Sequence, residues 1–308
     1  MLQKLRKLFR SQAATPRANA ALEQAIALLQ ERTQRQESFQ PRIIQLETRS
    51  RCTGHCSFCL ASVGRDPRPD LLMSETLFDK ILGELVQWKF VNRLSLYNNN
   101  EPLMDKRITD WLRRARKALP LAYLELKSNG TILSMDKIID LFDAGLDMLY
   151  INDYRDAEAF AKGEHRPNVA RILKELEASR RFKGHFERNH HFRRVIVSLR
   201  KQEEHLNTRA GSSPNRDPLP APLNLPCLRP FEQLAINPAG LVTLCCDDLL
   251  FQEPLGDLNQ QTLPEIWLSS PYDRLRLALL EGQRGVRSTC SQCDYRGYSH
   301  EMLAELGV

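Results

Sequence analysis

An α/β chain, built as a partial (β/α)6 TIM-like barrel with a small C-terminal α+β domain, is predicted by three observations. Strand-like apolar runs alternate with amphipathic helical runs from residue 40 onward. A Pro-rich stretch, residues 211–226, interrupts the alternation and lacks helical periodicity. Beyond it lie a hairpin pattern and a second set of cysteines. The expected organisation is an N-terminal helical segment over 1–39, a barrel over 40–210, a linker over 211–226 and an appended domain over 227–308.

Each element has its own reason. Residues 1–22 hold Lys4, Arg6, Lys7, Arg10 and Arg17 and no acid, a pattern shared by plain basic helices, transit peptides and membrane-surface helices; the plain helix is the expectation. Residues 20–35 repeat apolar Ala21, Leu22, Ile26 and Leu29 behind Asn19 as N-cap. Residues 42–48 alternate as a strand. Residues 74–90 read as a helix capped by Ser74, with Leu77, Phe78, Ile81, Leu82 and Leu85 on its inner face. Strand 91–98, helix 105–118, strand 123–128 with a turn at Asn129-Gly130, helix 134–144, strand 148–152, helix 169–178 and strand 194–200 follow. Five or six such units are too few to close an eight-stranded barrel, so the sheet is expected to stay open. Sites in parallel α/β folds gather at the carboxyl ends of strands, which points to the segments 52–59, 98–101, 128–130, 152–155 and 198–200.

Composition excludes several classes. With 42% hydrophobic and 27% charged residues the 308-residue chain reads as globular. No run approaches ~18 uncharged apolar residues, so no membrane partner is expected. The net charge of +6 is dispersed among acids, as around Asp110, Arg113, Arg114, Arg116 and Lys117, so no nucleic-acid partner is expected either. The eight cysteines cluster in metal-ligand spacings without a secretory leader, which favours a reducing, cytoplasmic location over a disulfide scaffold.

The first cluster is Cys52, Cys56 and Cys59, a C-x₃-C-x₂-C run with Phe58 beside its last thiol. Zinc wants four ligands and iron–sulfur clusters are held by thiolates, and spacing alone leaves both open. Three thiolates on a four-iron cubane would leave one iron free to bind a small molecule. The second set is Cys227, Cys245, Cys290 and Cys293, with strands over 233–236 and 241–244 flanking a turn at 237–240, and helical spacing over 262–280 that must start near Pro264 and Pro271. Structural zinc and iron–sulfur again both fit this spacing.

The triplet, placed just after the first strand with Phe58 in it, resembles the signature of the radical S-adenosylmethionine enzymes. The resemblance spans roughly residues 40–210. It implies a [4Fe–4S] cluster whose free iron chelates the methionine moiety of S-adenosyl-L-methionine, and a 5′-deoxyadenosyl radical formed on reduction. A Gly-Gly-Glu-Pro-type turn of that family is matched by Asn98-Asn99-Asn100-Glu101-Pro102, with asparagines in place of the glycines; they too tolerate the left-handed region. The resemblance thereby implies cosubstrate contacts at Asn99, Asn100 and Glu101, ribose contacts at Ser128 and Asn129, and adenosine contacts at Asn152 and Asp153. Read alone, Ser-Asn-Gly is a common turn and residues 98–101 a helix-cap region.

The C-terminal pattern, Gly240-x₄-Cys245, Cys246-Asp247, residues 255–258, Glu265-Ile266-Trp267 and the closing C-x₂-C, is similar to the SPASM and Twitch extensions of the same family. Residues 294–308 contain no further cysteine, so the Twitch form, with one auxiliary [4Fe–4S] cluster on Cys227, Cys245, Cys290 and Cys293, is the expectation; two clusters are therefore implied in all. Cys246 stays open as a buried neighbour, an alternative ligand or a general acid.

The implied activity is an oxidoreductase. Hydrogen abstraction from a hydroxyl-bearing carbon of a small alcohol, sugar or cyclitol, with the auxiliary cluster as electron acceptor, matches this cysteine layout. A flavodoxin- or ferredoxin-type protein is the implied reductant. Arg200 and Tyr154 are the expected substrate-side catalytic residues, with Arg155, His165, His190 and His191 as further candidates. A peptide-modifying enzyme, methyl transfer or epimerisation with the same cofactor, and a non-catalytic zinc or iron–sulfur protein are the alternatives.

Overall fold

The computed structural model describes residues 16–35, 39–182, 186–188, 194–204 and 207–298. Among them, nine strands form one sheet in the order β5-β6-β4-β3-β2-β1-β7-β8-β9. The strands are β1 (Ile43–Leu46), β2 (Arg93–Ser95), β3 (Tyr123–Ser128), β4 (Met148–Arg155), β5 (Phe186–Arg188), β6 (Val195–Lys201), β7 (Gln233–Ile236), β8 (Leu241–Thr243) and β9 (Gly256–Asp257). Every pair from β5 to β7 is parallel, and β7-β8-β9 are antiparallel. The parallel stretch is the open, partial barrel expected from the βα alternation, and its carboxyl ends face one way.

The helices follow the apolar periodicity. In α2 (Glu75–Gln87), Leu77, Phe78, Ile81, Leu82 and Leu85 are buried, and the Ser74 hydroxyl caps the first turn by accepting from the Leu77 N–H at 3.1 Å. Helices α3 (Ile108–Ala118), α4 (Met135–Asp143) and α6 (Pro167–Ala178) cover the same side of the sheet through Trp111, Leu112, Ile138, Leu141, Ile172 and Leu176. Each such side chain, fully buried, stabilises the fold by roughly 1.5–3 kcal/mol. A short α5 (Ala157–Ala161) leads out of β4.

Several expectations are corrected. The N-terminal helix α1 is Pro16–Gln34, so Asn19 lies inside it and is not its cap; proline at the first turn loses no intrahelical bond. Its buried Leu22, Ala25, Ile26 and Leu29 pack on Leu228, Phe231 and Leu280 of the C-terminal part, away from the parallel strands. Residues 262–280 form two helices, α7 (Leu263–Trp267) and α8 (Ser270–Leu280). The break falls where Ser269 caps α8 and Pro271 cannot donate an intrahelical bond. Strand β4 runs to Arg155, three residues further than its apolar pattern, because β6 pairs with it as far as Arg155↔Lys201.

Two further differences decide where the site lies. The hairpin β7-β8 does not form a sheet of its own, since β7 pairs in parallel with β1 over Ile43↔Gln233 to Leu46↔Ile236. The Pro-rich stretch is not a free linker either. The Ser213 hydroxyl donates to the Phe58 carbonyl at 3.0 Å, and the Asn215 amide donates to the Ser57 hydroxyl at 3.1 Å, so it lies against the first cysteine loop.

That loop is also clamped from its far end. Arg68 Nη1 donates to both oxygens of fully buried Glu47 at 3.0 and 3.1 Å, while Nη2 donates to the Asn99 carbonyl at 3.0 Å and to Asp66 at 2.9 Å. Burial raises the Glu47 carboxyl to about 7 in spite of Arg68. An acid whose folded pKa is raised holds its proton more tightly folded than unfolded. Stability therefore falls as pH climbs from the usual 4.5 through 7. Arg68→Met should remove about 3 kcal/mol of stability at pH 8 and clearly less at pH 5.5, where Glu47 is neutral in both proteins. Denaturant unfolding at the two pH values measures it; an equal loss at both would show that Glu47 carries no charge in the pair.

Candidate active site

The carboxyl end of β1 runs straight into Cys52, Cys56 and Cys59. The loop is closed by its own backbone: Cys59 N–H donates to Cys56 O at 3.2 Å, Val63 N–H to Gly54 O at 2.9 Å, and the Ser62 hydroxyl to Cys56 O at 2.8 Å. Gly54 sits between the thiols. A Cβ there would lie 3.4 Å from Cys52 Sγ and 3.8 Å from Cys56 Sγ, in the space a group held by both sulfurs would need.

All three thiols border one cavity of about 230 Å³, together with Phe58, Asn98, Asn99, Asn100, Ser128, Asn129, Asn152 and Tyr154. The carboxyl ends of β1 to β4 thus converge as expected. The turn after β3 is tied to the triplet directly. Asn129 Nδ2 donates to Thr53 Oγ1 at 3.0 Å and to Cys52 Sγ at 3.6 Å, and Gly54 N–H donates to Cys52 Sγ at 3.3 Å. The Asn98 amide, at both Nδ2 and Oδ1, and Asn100 Nδ2 are buried without a partner. Unpaired buried amides are costly, so these atoms mark where a polar ligand belongs.

Several candidates do not reach the cavity. Glu101 is 1% exposed and stands behind it, accepting from Asn129 N–H at 2.7 Å and Leu103 N–H at 3.1 Å. Its carboxyl, raised by burial to about 7, positions the Ser128–Asn129 turn. Arg200 is held by Glu204, with Nε and Nη2 donating at 3.0 and 2.8 Å, and its guanidinium lies 5.7 Å from the Tyr154 ring centre. Tyr154 does line the cavity, with its ring tilted against Phe58 at 5.5 Å. Asp153 and His165 bond each other at 2.9 Å beside Arg166, away from the cavity. His190 and His191 lie outside the described residues.

Sequence reasoning missed Arg166 and Arg209. Arg166 braces the site by donating to the carbonyls of Asn129 at 2.9 Å and Tyr154 at 2.8 Å. Arg209 lines the cavity itself, donating to Asn99 Oδ1. Neither sits in a recognisable motif, and only the folded chain brings them to the strand ends.

The second thiol set assembles through long-range backbone ties. Cys227 N–H donates to Leu279 O at 2.9 Å near the end of α8, and Cys293 N–H to Cys290 O at 3.2 Å, just after α9 (Ser288–Ser291). Buried Arg284 crosses between the pieces, donating to Leu225 O at 2.9 Å and Cys293 O at 3.0 Å. Gly297, at φ +96, allows the final pass. A Cβ there would fall 1.9 Å from the Pro226 carbonyl oxygen. Cys227, Cys245, Cys290 and Cys293 all line one cavity. Cys246 turns away, its Sγ accepting from Arg229 Nη1 at 3.1 Å and Gln233 Nε2 at 3.7 Å.

The donor sets suit iron–sulfur clusters. Burial pushes the thiols of Cys52, Cys56, Cys290 and Cys293 up to about 12, so ligation as thiolate requires metal to displace the protons. Among the described residues no three side chains converge on a single-ion position. Among the described residues no helix is long and apolar enough to cross a membrane.

Comparison with known proteins agrees with this geometry. Residues 227–294 match the SPASM iron–sulfur cluster-binding domain. The chain is 22% identical over 252 residues to the S-adenosyl-L-methionine-dependent 2-deoxy-scyllo-inosamine dehydrogenase of Niallia circulans, covering 82% of this chain and 92% of that one. The crystal structure of BtrN in complex with AdoMet and 2-DOIA superposes with a TM-score of 0.70 at 20% identity, covering 84% of this chain and 94% of that one. AdoMet-bound anSMEcpe superposes with a TM-score of 0.51 at 11% identity, covering 86% of this chain and 93% of that one. The open α/β barrel with a thiol triplet at the end of its first strand is similar to that of these S-adenosyl-L-methionine-dependent proteins. Its residues 227–294 form a C-terminal SPASM-type iron–sulfur cluster-binding domain.

Proposed function

We propose that the protein dehydrogenates a hydroxyl-bearing carbon of a small polyol, with an aminocyclitol such as 2-deoxy-scyllo-inosamine as the model substrate. A [4Fe–4S] cluster on Cys52, Cys56 and Cys59 with S-adenosylmethionine supplies hydrogen-atom abstraction, and a second on Cys227, Cys245, Cys290 and Cys293 supplies a one-electron sink. The observation that carries this reading is that consecutive residues line the two thiol cavities, Arg209 the first and Ala210 the second. Asn99 lines the first, and its Nδ2 donates at 2.8 Å to the carbonyl of Cys246, the residue next to Cys245.

The chain's own residues then have separate tasks. Asn100 and Asn152 offer polar contacts to the cosubstrate, and Ser128 and Asn129 hold the turn against the triplet. Phe58 and Tyr154 close one side and exclude water. The Tyr154 hydroxyl is held in its neutral form by burial, so at neutral pH it donates and does not act as a base. A flavodoxin- or ferredoxin-type protein supplies the initiating electron in this proposal.

The test is anaerobic incubation of cluster-reconstituted protein with dithionite, S-adenosylmethionine and 2-deoxy-scyllo-inosamine deuterated at its carbinol carbons. Deuterium in 5′-deoxyadenosine, with one ketone formed per deoxyadenosine, is expected. Formation of S-adenosylhomocysteine, or deoxyadenosine without label transfer, would reject dehydrogenation.

A further inference from the structure

The segment after β6 joins the two thiol sites. Thr208 N–H donates to Asp294 Oδ1 at 2.8 Å and its hydroxyl to Gln292 O at 2.5 Å, so it is fastened to both neighbours of Cys293. The next two residues, Arg209 and Ala210, take left-handed backbone angles of φ 46 and 52, and the Arg209 side chain enters the triplet cavity. Its guanidinium donates to Asn99 Oδ1, the same amide whose Nδ2 holds the Cys246 carbonyl.

Arg209 is not neutralised by a bonded carboxylate among the described residues, and its Nε is buried without a partner. The carboxylate whose charge acts on it is Asp247, on the side of the second thiol set. A buried guanidinium with an N–H left unpartnered is costly unless a ligand completes it. In the same cavity the Asn98 amide lacks partners for both a donor and an acceptor.

We infer that Arg209 is a specificity-determining residue that holds a hydroxyl oxygen of the second reactant; this rests on the dehydrogenase reading above. Arg209 can only donate, whereas Asn98 needs both to give and to receive. Neighbouring hydroxyls on one ring satisfy both demands, and a hydrocarbon face satisfies neither. The position favours the second reactant over the cosubstrate, because Arg209 and Asn99 are cavity residues that also bond to the SPASM-type domain or to the segment fastened to it.

The test is calorimetric titration of reconstituted protein, with S-adenosylmethionine present and no reductant. The ligands are 2-deoxy-scyllo-inosamine and analogues in which each ring hydroxyl in turn is replaced by hydrogen. In the wild type one analogue should bind about tenfold or more weakly than the parent, the usual scale for a bond to a charged group. In Arg209→Gln that difference should collapse towards unity, and Arg209→Lys should retain part of it. The comparison is a ratio within each protein, so a general loss of affinity does not imitate it; if Arg209→Gln fails to fold, the lysine variant carries the test. Full discrimination in either variant, or none in the wild type, overturns the inference. A wild type that binds no ligand of the series rejects the aminocyclitol reading itself, and the inference falls with it.

Discussion

Cys56→Ala should abolish 5′-deoxyadenosine formation, lowering it by about 10³-fold or more against the reconstituted wild type. The loop's internal bonds run through the Cys56 carbonyl, which accepts from Cys59 N–H and the Ser62 hydroxyl, and through Gly54 O. Alanine keeps all of them, so the loss reports the missing thiolate and not a collapsed loop. Two thiolates cannot retain a four-iron cluster with one open corner. Iron content, absorbance near ~400 nm and anaerobic product analysis measure the outcome. Deoxyadenosine at near wild-type rates would show that Cys56 is no ligand and that the triplet does not hold the centre.

The second large effect belongs to Cys290→Ala. Substrate oxidation should stop while deoxyadenosine still forms, now uncoupled from product. The protein should hold about four irons per chain in place of about eight. Cys290 lines the auxiliary cavity from α9, a four-residue helix, and it is absent from the walls of the triplet cavity. Its removal therefore strikes the electron acceptor without touching the cosubstrate cavity. Label transfer from deuterated substrate, followed beside ketone formation, separates the two steps. Ketone formed at the wild-type rate would show that the auxiliary centre takes no electron from substrate.

Much of this was legible in the linear chain because its signals are local. Amphipathic spacing in Leu77, Phe78, Ile81, Leu82 and Leu85 needs only the helical period to be read, and Ser74 caps where its side chain predicts. The triplet spans eight residues and is read as a unit. Glu101 shows where motif reading stops. Its place beside Pro102 is conspicuous, yet two backbone N–H groups claim its carboxylate behind the cavity wall. Arg200 likewise sits at the end of its strand, but Glu204 competes for it at close range and wins.

The amino-acid order by itself determined the βα alternation and the thiol triplet at the end of β1, since each depends on periodicity or on spacing within a few residues. Tertiary structure alone decided that β7 adds to the barrel's own sheet, that Ser213 and Asn215 lie against the first cysteine loop, and that Arg209 and Asn99 of the triplet cavity bond each other, with Asn99 also bonded to the Cys246 carbonyl. Those are pairings between segments far apart along the chain. Their free energy comes from backbone bonding and burial that exist only once both partners are in place, so no local pattern announces them.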